Sequence, residues 1–309
     1  MYNVKNKQSL TEVNHQINEL FSKSNNFSVV RIGNMEGYFL DCFVRDRKPL
    51  DEFYHWLSLT SGVNPVDDNY LKDTWRGINE EAMIGADMLG FVDISGEIKG
   101  NPDFVNKYCN NKFTFYGVDD IMALDPGYLV NKGLVDVECP DPWTKKLKGK
   151  KVLVVSNFVK TIPDQWEKID KVWGDKLQDM APYDLVGVVR SPFHPKMDSR
   201  QYPGCDTWDK TLDFMVKEIM NYEFDVCLIS GAAWAPALAH KVKQMGKIGI
   251  TLSGVLQLHF GIIGSRWAGT NPSYTNWPEM FNEHWSWCNE DDLPREREVF
   301  NRFEKAYWK

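Results

Sequence analysis

The sequence lacks both glycine-rich phosphate fingerprints, has no close pair of cysteines and has no long apolar run, and each absence removes a class of protein. Without G-x-G-x-x-G or G-x-x-x-x-G-K-[ST], neither a dinucleotide fold of the common type nor a P-loop is supported. The six cysteines, at 42, 109, 139, 205, 227 and 288, are far apart and form no C-x-x-C, so a metal knuckle or redox centre is not indicated. Reduced thiols are the expected state. No apolar stretch reaches the about 18 residues of a membrane span, and Met1-Tyr2-Asn3-Val4-Lys5 does not read as a signal peptide, so the expected location is the cytoplasm. Lysine and arginine form no sustained basic run, and with a net charge of -7 no nucleic-acid partner is expected. No segment repeats and none is low in complexity.

What is present is a chain of 309 residues, 43% hydrophobic, enough for one large core or two modest ones. Twelve tryptophans are many, and most are expected to be packing residues. The most informative stretch runs from Phe224 to Trp267. Val226, Cys227, Leu228 and Ile229 form a nearly continuous apolar run that stops at Ser230-Gly231, the pattern of a strand buried on both faces of a parallel sheet. From Pro236 the apolar residues Leu238, Ala239, Val242 and Met245 keep a helical spacing, which ends at Gly246. A second strand, Ile248 to Leu252, follows. Two strands joined by one helix lie parallel, so the loops after both emerge on one edge, where open α/β sheets bind ligands. The second loop gathers Ser253, Gly254, Gln257, His259, Arg266 and Trp267.

The earlier chain fits the same pattern. Helices are expected over 10–21, 51–61 and 69–86, with a strand at Phe27–Ile32 that ends in Gly33-Asn34-Met35-Glu36-Gly37. Arg31 within that strand and Glu36 just after it are costly unless paired or used, so they are either a structural ion pair or diphosphate- and metal-handling groups. Asp87 and Asp93 flank another short strand and read as solvated acids or hydroxyl and metal partners. Phe113–Tyr116 reads as a strand or loop, and a turn is expected near Leu124-Asp125-Pro126-Gly127. Lys150–Ser156 is the clearest strand. It runs into Asn157, Lys160 and Thr161 before a helix from about Pro163, and a polar loop feeding a helix N-terminus is a natural anion site. A strand over 185–190 and an amphipathic helix over 208–220 complete the alternation. The expected fold is α/β: a doubly wound, mostly parallel, Rossmann-like sheet with helices on both faces. One domain over 1–269 is expected, its clearest part 150–269, followed by an aromatic C-terminal extension, 270–309, with a charged helix over 295–307.

The run Phe27 to Glu36, then Lys151-Val152-Leu153-Val154-Val155, then Cys227 to Ala233 through Leu238-Ala239 and Gly246-Lys247, resembles the GT-D-type glycosyltransferases. It is also similar to uncharacterised relatives in bacteria and large viruses, whose last loop resembles Leu256-Gln257, Phe260-Gly261 and Arg266-Trp267. The resemblance covers about residues 25 to 267. In the GT-D pattern the first strand ends in Asp-x-Glu, which engages a divalent cation and the donor diphosphate. The matching triplet here is Asn34-Met35-Glu36, with the glutamate kept and the aspartate replaced by asparagine. The resemblance implies a UDP-sugar donor and transfer to a hydroxyl of a glycan acceptor, with Mn²⁺ or Mg²⁺ held through Glu36 and weakened by neutral Asn34. The expected catalytic residues are Glu36, as general base or metal ligand, and His259. The expected substrate contacts are Arg31, Gly33, Asn34, Asn157, Lys160, Thr161, Ser230, Gly231, Ser253, Gly254, Gln257 and Arg266. A parallel sheet should bring Glu36, Lys160 and His259 into one pocket. The alternative is a nucleotide- or glycan-binding protein that keeps the fold without the reaction; a phosphate-ester hydrolase would want a tighter acidic cluster.

Overall fold

Side chains alternate across a strand, and here the alternation sorts the apolar residues into two cores. The computed structural model describes residues 7–92, 96–110, 112–116, 141–177, 182–268, 281–299 and 308. In β1 (Ser28–Ile32), β4 (Lys151–Ser156) and β6 (Val226–Ile229), the residues Val30, Ile32, Leu153, Val155, Cys227 and Ile229 belong to one buried cluster. Val29, Val152, Val154, Val226 and Leu228 belong to another. A strand buried on both faces has no polar side to show, which is why these runs read as continuous rather than alternating.

With β2 (Met88–Phe91), β3 (Phe113–Tyr116), β5 (Asp184–Arg190) and β7 (Ile248–Thr251), they form a seven-stranded sheet in the order β3-β2-β1-β7-β6-β4-β5. Every pairing in it is parallel. The first half of the chain thus supplies three strands of the same sheet, with β1 beside β7 near its centre. The first core is closed by α2 (Asn34–Val44), α3 (Asp51–Ser61), α4 (Arg76–Gly85), α5 (Pro102–Tyr108), α7 (Trp208–Met220) and α8 (Ala235–Gln244), through residues such as Phe39, Leu57, Met83, Phe104, Leu212 and Leu238. The second is closed by α1 (Lys7–Lys23), by Trp143 and Leu147, by α6 (Thr161–Trp166) and by the segment from Leu256 to Ile262. Helices on both faces of a parallel sheet make the fold doubly wound. No helix among the described residues is long and apolar enough to cross a membrane.

Two sequence expectations change here. The triplet Asn34-Met35-Glu36, expected to end the first strand, is instead the first turn of α2, because the helix starts directly after Gly33. Asp87 sits at the amino end of β2, where its carboxylate accepts from the Ser28 backbone N–H at 2.8 Å and pairs with the Lys243 ammonium at 2.8 Å. That is the edge opposite the strand ends. Asp93 and the turn expected near Leu124-Asp125-Pro126-Gly127 lie outside the described residues, as does most of the helix expected over 295–307. Within the extension, Ser286–Trp287 pairs with Ile262–Ile263, and Trp285 packs edge-on to Trp173 with ring centroids 5.4 Å apart.

Helix and sheet approach closely at Gly249 in β7. A β-carbon there would lie 2.6 Å from the Ala239 carbonyl oxygen and 2.9 Å from its Cα, both backbone atoms of α8 that cannot swing away. Gly249→Ala therefore has to push α8 off the sheet. It is expected to cost about 1–3 kcal/mol, read as a lower denaturant midpoint at unchanged slope; a midpoint equal to the parent's would mean that the helix yields freely.

Candidate active site

The carboxyl ends of the parallel strands open into a cavity of about 340 Å³. Open α/β sheets bind ligands at this edge because every strand delivers its following loop there. From β1 the cavity receives Arg31, Gly33, Asn34 and Glu36; from the end of β4, Asn157 and Phe158; from the end of β5, Ser191, Pro192 and Phe193. Ser230 and Ala232 follow β6, and Ser253, Gly254 and Gln257 follow β7, with Arg266 further along the same connection. The last turn of α3 adds Leu59, Thr60 and Ser61.

Two turns that face the cavity are conformationally costly. Ala232 and Ser253, each opening a short 3-10 turn after its strand, have φ of 44° and 58°. Left-handed torsions in residues with a β-carbon cost roughly 1–3 kcal/mol each and gather at functional sites. Each starts a helical turn whose first N–H groups have no acceptor within the turn.

Among the described residues, Glu36 is the carboxylate that lines this cavity. It stands in the first turn of α2, where the positive end of the helix favours an anion, yet it is only 6% exposed. Burial raises its pKa above the ordinary 4.5, and hydrogen bonds from its own backbone N–H and from Ser61, with the nearby Arg31 charge, work in the opposite direction. A carboxyl so placed takes up a proton more readily than a solvated one. Asn157 is used structurally as well as lining the cavity: its amide donates to the Ser191 carbonyl at 2.5 Å and ties the ends of β4 and β5 together. Arg266 lies beside the buried Trp267, its guanidinium 5.6 Å from the ring centroid.

Glu36, Lys160 and His259 do not share this cavity, contrary to the expectation from strand order. His259 is 1% exposed in the second-face core, its Nε2 2.7 Å from the Tyr183 hydroxyl and its ring stacked on Tyr183. Burial drops its pKa to about 3, so the imidazole is neutral at physiological pH. Its helix explains the placement: in α9 (Leu256–His259), residues two apart face opposite ways, and Gln257 takes the cavity side. Lys160 and Thr161 do stand at an anion site, but the anion is the chain's own. The Asp292 carboxylate accepts from the backbone N–H groups of Lys160 at 3.0 Å and Thr161 at 2.7 Å and from the Thr161 hydroxyl at 2.6 Å. Gly231 lies just behind the lining, where a β-carbon would come 3.3 Å from the Ser191 hydroxyl.

Sequence reasoning passed over Ser61, Ser191 and Phe193. The latter two directly follow a strand it had located, so the same edge argument reaches them. Ser61 ends a helix and carries no strand signal. Among the described residues, the donors present do not fit a divalent cation by themselves. Glu36 is the carboxylate in the lining, its neighbour Asn34 is neutral, and among the described residues no three His, Cys, Asp or Glu side chains are grouped to hold a metal ion.

No family model matches the chain, and no curated protein does. Among solved structures, one from Streptococcus sanguinis described as a new glycosyltransferase (DUF1792) is similar over 91% of this chain and 94% of its own, at 14% identity and a TM-score of 0.44.

Proposed function

We propose that the chain is a glycosyltransferase that moves a sugar from a nucleoside diphosphate sugar, a UDP-sugar by the resemblance of its first-strand motif, to a hydroxyl of a glycan acceptor. The observation that carries the reading is a buried carboxylate, Glu36, in a strand-end cavity whose lining also holds two guanidinium groups, Arg31 and Arg266. At about 340 Å³ the cavity falls within the range of small-molecule sites, roughly 300–1,000 Å³.

The reaction divides among these groups. The Glu36 carboxylate takes the proton of the acceptor hydroxyl as its oxygen bonds to the anomeric carbon. The bond from that carbon to the diphosphate oxygen breaks, and its electron pair leaves on the diphosphate. Arg31 and Arg266 meet the charge that develops there, since a guanidinium offers paired donors to phosphate oxygens. No step is assigned to a cation.

The test is a panel of UDP-glucose, UDP-galactose and UDP-N-acetylglucosamine, assayed for thermal shift and for UDP release with EDTA or with Mn²⁺. One donor is expected to raise the melting temperature by mass action and to release UDP in EDTA. A chain that binds a donor without turnover is the binding protein of the alternative reading. A chain that binds none of the three overturns the proposal.

A further inference from the structure

Gly33 has the backbone of an ordinary residue and a reason to be glycine that lies elsewhere. Its φ of -71° and ψ of 171° suit any L-residue, so torsion does not demand glycine. Space does: a β-carbon at Gly33 would stand 2.3 Å from Oε2, 3.0 Å from Cδ and 3.2 Å from Oε1 of Glu36. The carboxylate occupies the volume that a side chain at position 33 would fill. Ser61 lines the same cavity beside Glu36, and its hydroxyl is among the groups that favour the ionised carboxylate. It is 4% exposed and ends α3, whose C-cap Gly62 is in the left-handed conformation and so close to the Phe193 carbonyl and the Trp234 ring that a β-carbon would lie 2.8 Å from either.

We propose that Gly33 and Ser61 are positioning residues that hold the Glu36 carboxylate in one place at the cavity wall, Gly33 by leaving its side-chain volume empty and Ser61 by its hydroxyl. This assigns Gly33 a role other than the substrate contact expected from sequence, and it rests on the reading of Glu36 as the base. A capping role alone would not need glycine here, because the N-cap residue that a glutamate three positions on reaches back to is usually Ser or Thr, which carries a β-carbon.

The test is a double-mutant cycle of Gly33→Ala and Glu36→Asp, with UDP release measured from whichever of UDP-glucose, UDP-galactose and UDP-N-acetylglucosamine turns over. Gly33→Ala displaces the carboxylate by about an ångström or more, so kcat is expected to fall by about 100-fold with donor KM little changed. Aspartate withdraws the carboxylate by one methylene, so the double variant is expected to be no slower than Glu36→Asp alone, a strong non-additivity. Ser61→Ala should lower kcat, and Ser61→Thr, which keeps the hydroxyl, should recover most of it. Independent, multiplying losses in the cycle overturn the proposal. A rise in KM at constant kcat overturns it in favour of a substrate contact, and a lower melting temperature at parental kcat overturns it in favour of a structural role. The Ser61 pair decides the matter if Gly33→Ala fails to fold, equal kcat in both Ser61 variants then being the overturning result. Failure of the underlying reading looks different: Glu36→Gln itself would keep its turnover.

Discussion

Glu36→Gln is expected to reduce sugar transfer by about 10²–10⁴-fold, the usual worth of a positioned general base, while the protein melts at the parental temperature or slightly above it. The two halves of that expectation have one cause. Glutamine keeps the shape of the side chain and one acceptor oxygen but cannot accept the proton of an acceptor hydroxyl. The folded state holds the Glu36 proton more tightly than the unfolded chain, because burial raises its pKa above 4.5. Its contribution to stability is then fully present below about pH 4.5 and is lost as the pH rises through the folded value. At neutral pH the ionised carboxylate is a net cost that glutamine removes. The parental rate should rise with pH along a limb shifted above that of a free glutamate, and the variant should lack that limb. A Glu36→Gln protein with most of its turnover left would remove Glu36 from the chemistry, and one that melts far below the parent would make it a structural residue.

Much of the architecture is legible in the sequence because the strands are buried on both faces. Runs such as Val152–Val155 and Val226–Ile229 are apolar at every position, and each ends at a small polar pair that marks the strand end. Knowing the strand ends of a parallel sheet locates the ligand edge, and Arg31, Asn34, Glu36, Asn157, Ser230, Ser253, Gln257 and Arg266 all line the cavity found there. What the linear pattern does not carry is the direction a side chain takes after the strand has ended. Gln257 and His259 look equivalent in a loop and are opposed once the loop is a helical turn. Ser61 reaches the cavity from a helix of another layer, a relation set by how α3 packs on Trp234 and Phe193.

Lys160 and Thr161 teach the complementary lesson: the local chemistry was read correctly and the partner was not, because Asp292 is 131 residues further along the chain from Thr161. Asp292→Ala is expected to be the most destabilising of the substitutions considered. Asp292 is fully buried, Thr161 is 3% exposed, and the change leaves two backbone N–H groups and a hydroxyl without their acceptor. Each orphaned donor costs about 1–3 kcal/mol, so a loss of about 3 kcal/mol or more is expected even if water relieves part of it. The Thr161 hydroxyl also accepts from the Asn289 backbone N–H at 2.8 Å, and Arg200 donates to the Asp292 carbonyl. The same change should therefore loosen residues 281–299, which would become the first site of limited proteolysis. Asp292→Asn keeps one acceptor oxygen in place and should lose roughly half as much, since the charge-assisted part of each bond is gone while a neutral bond remains. Donor binding at the cavity should survive in both variants, because Asp292 does not line it. If Asp292→Ala and Asp292→Asn both melt with the parent, the carboxylate is not what holds the extension against α6; if donor binding falls in step with stability, the extension shapes the cavity as well as closing the core behind it.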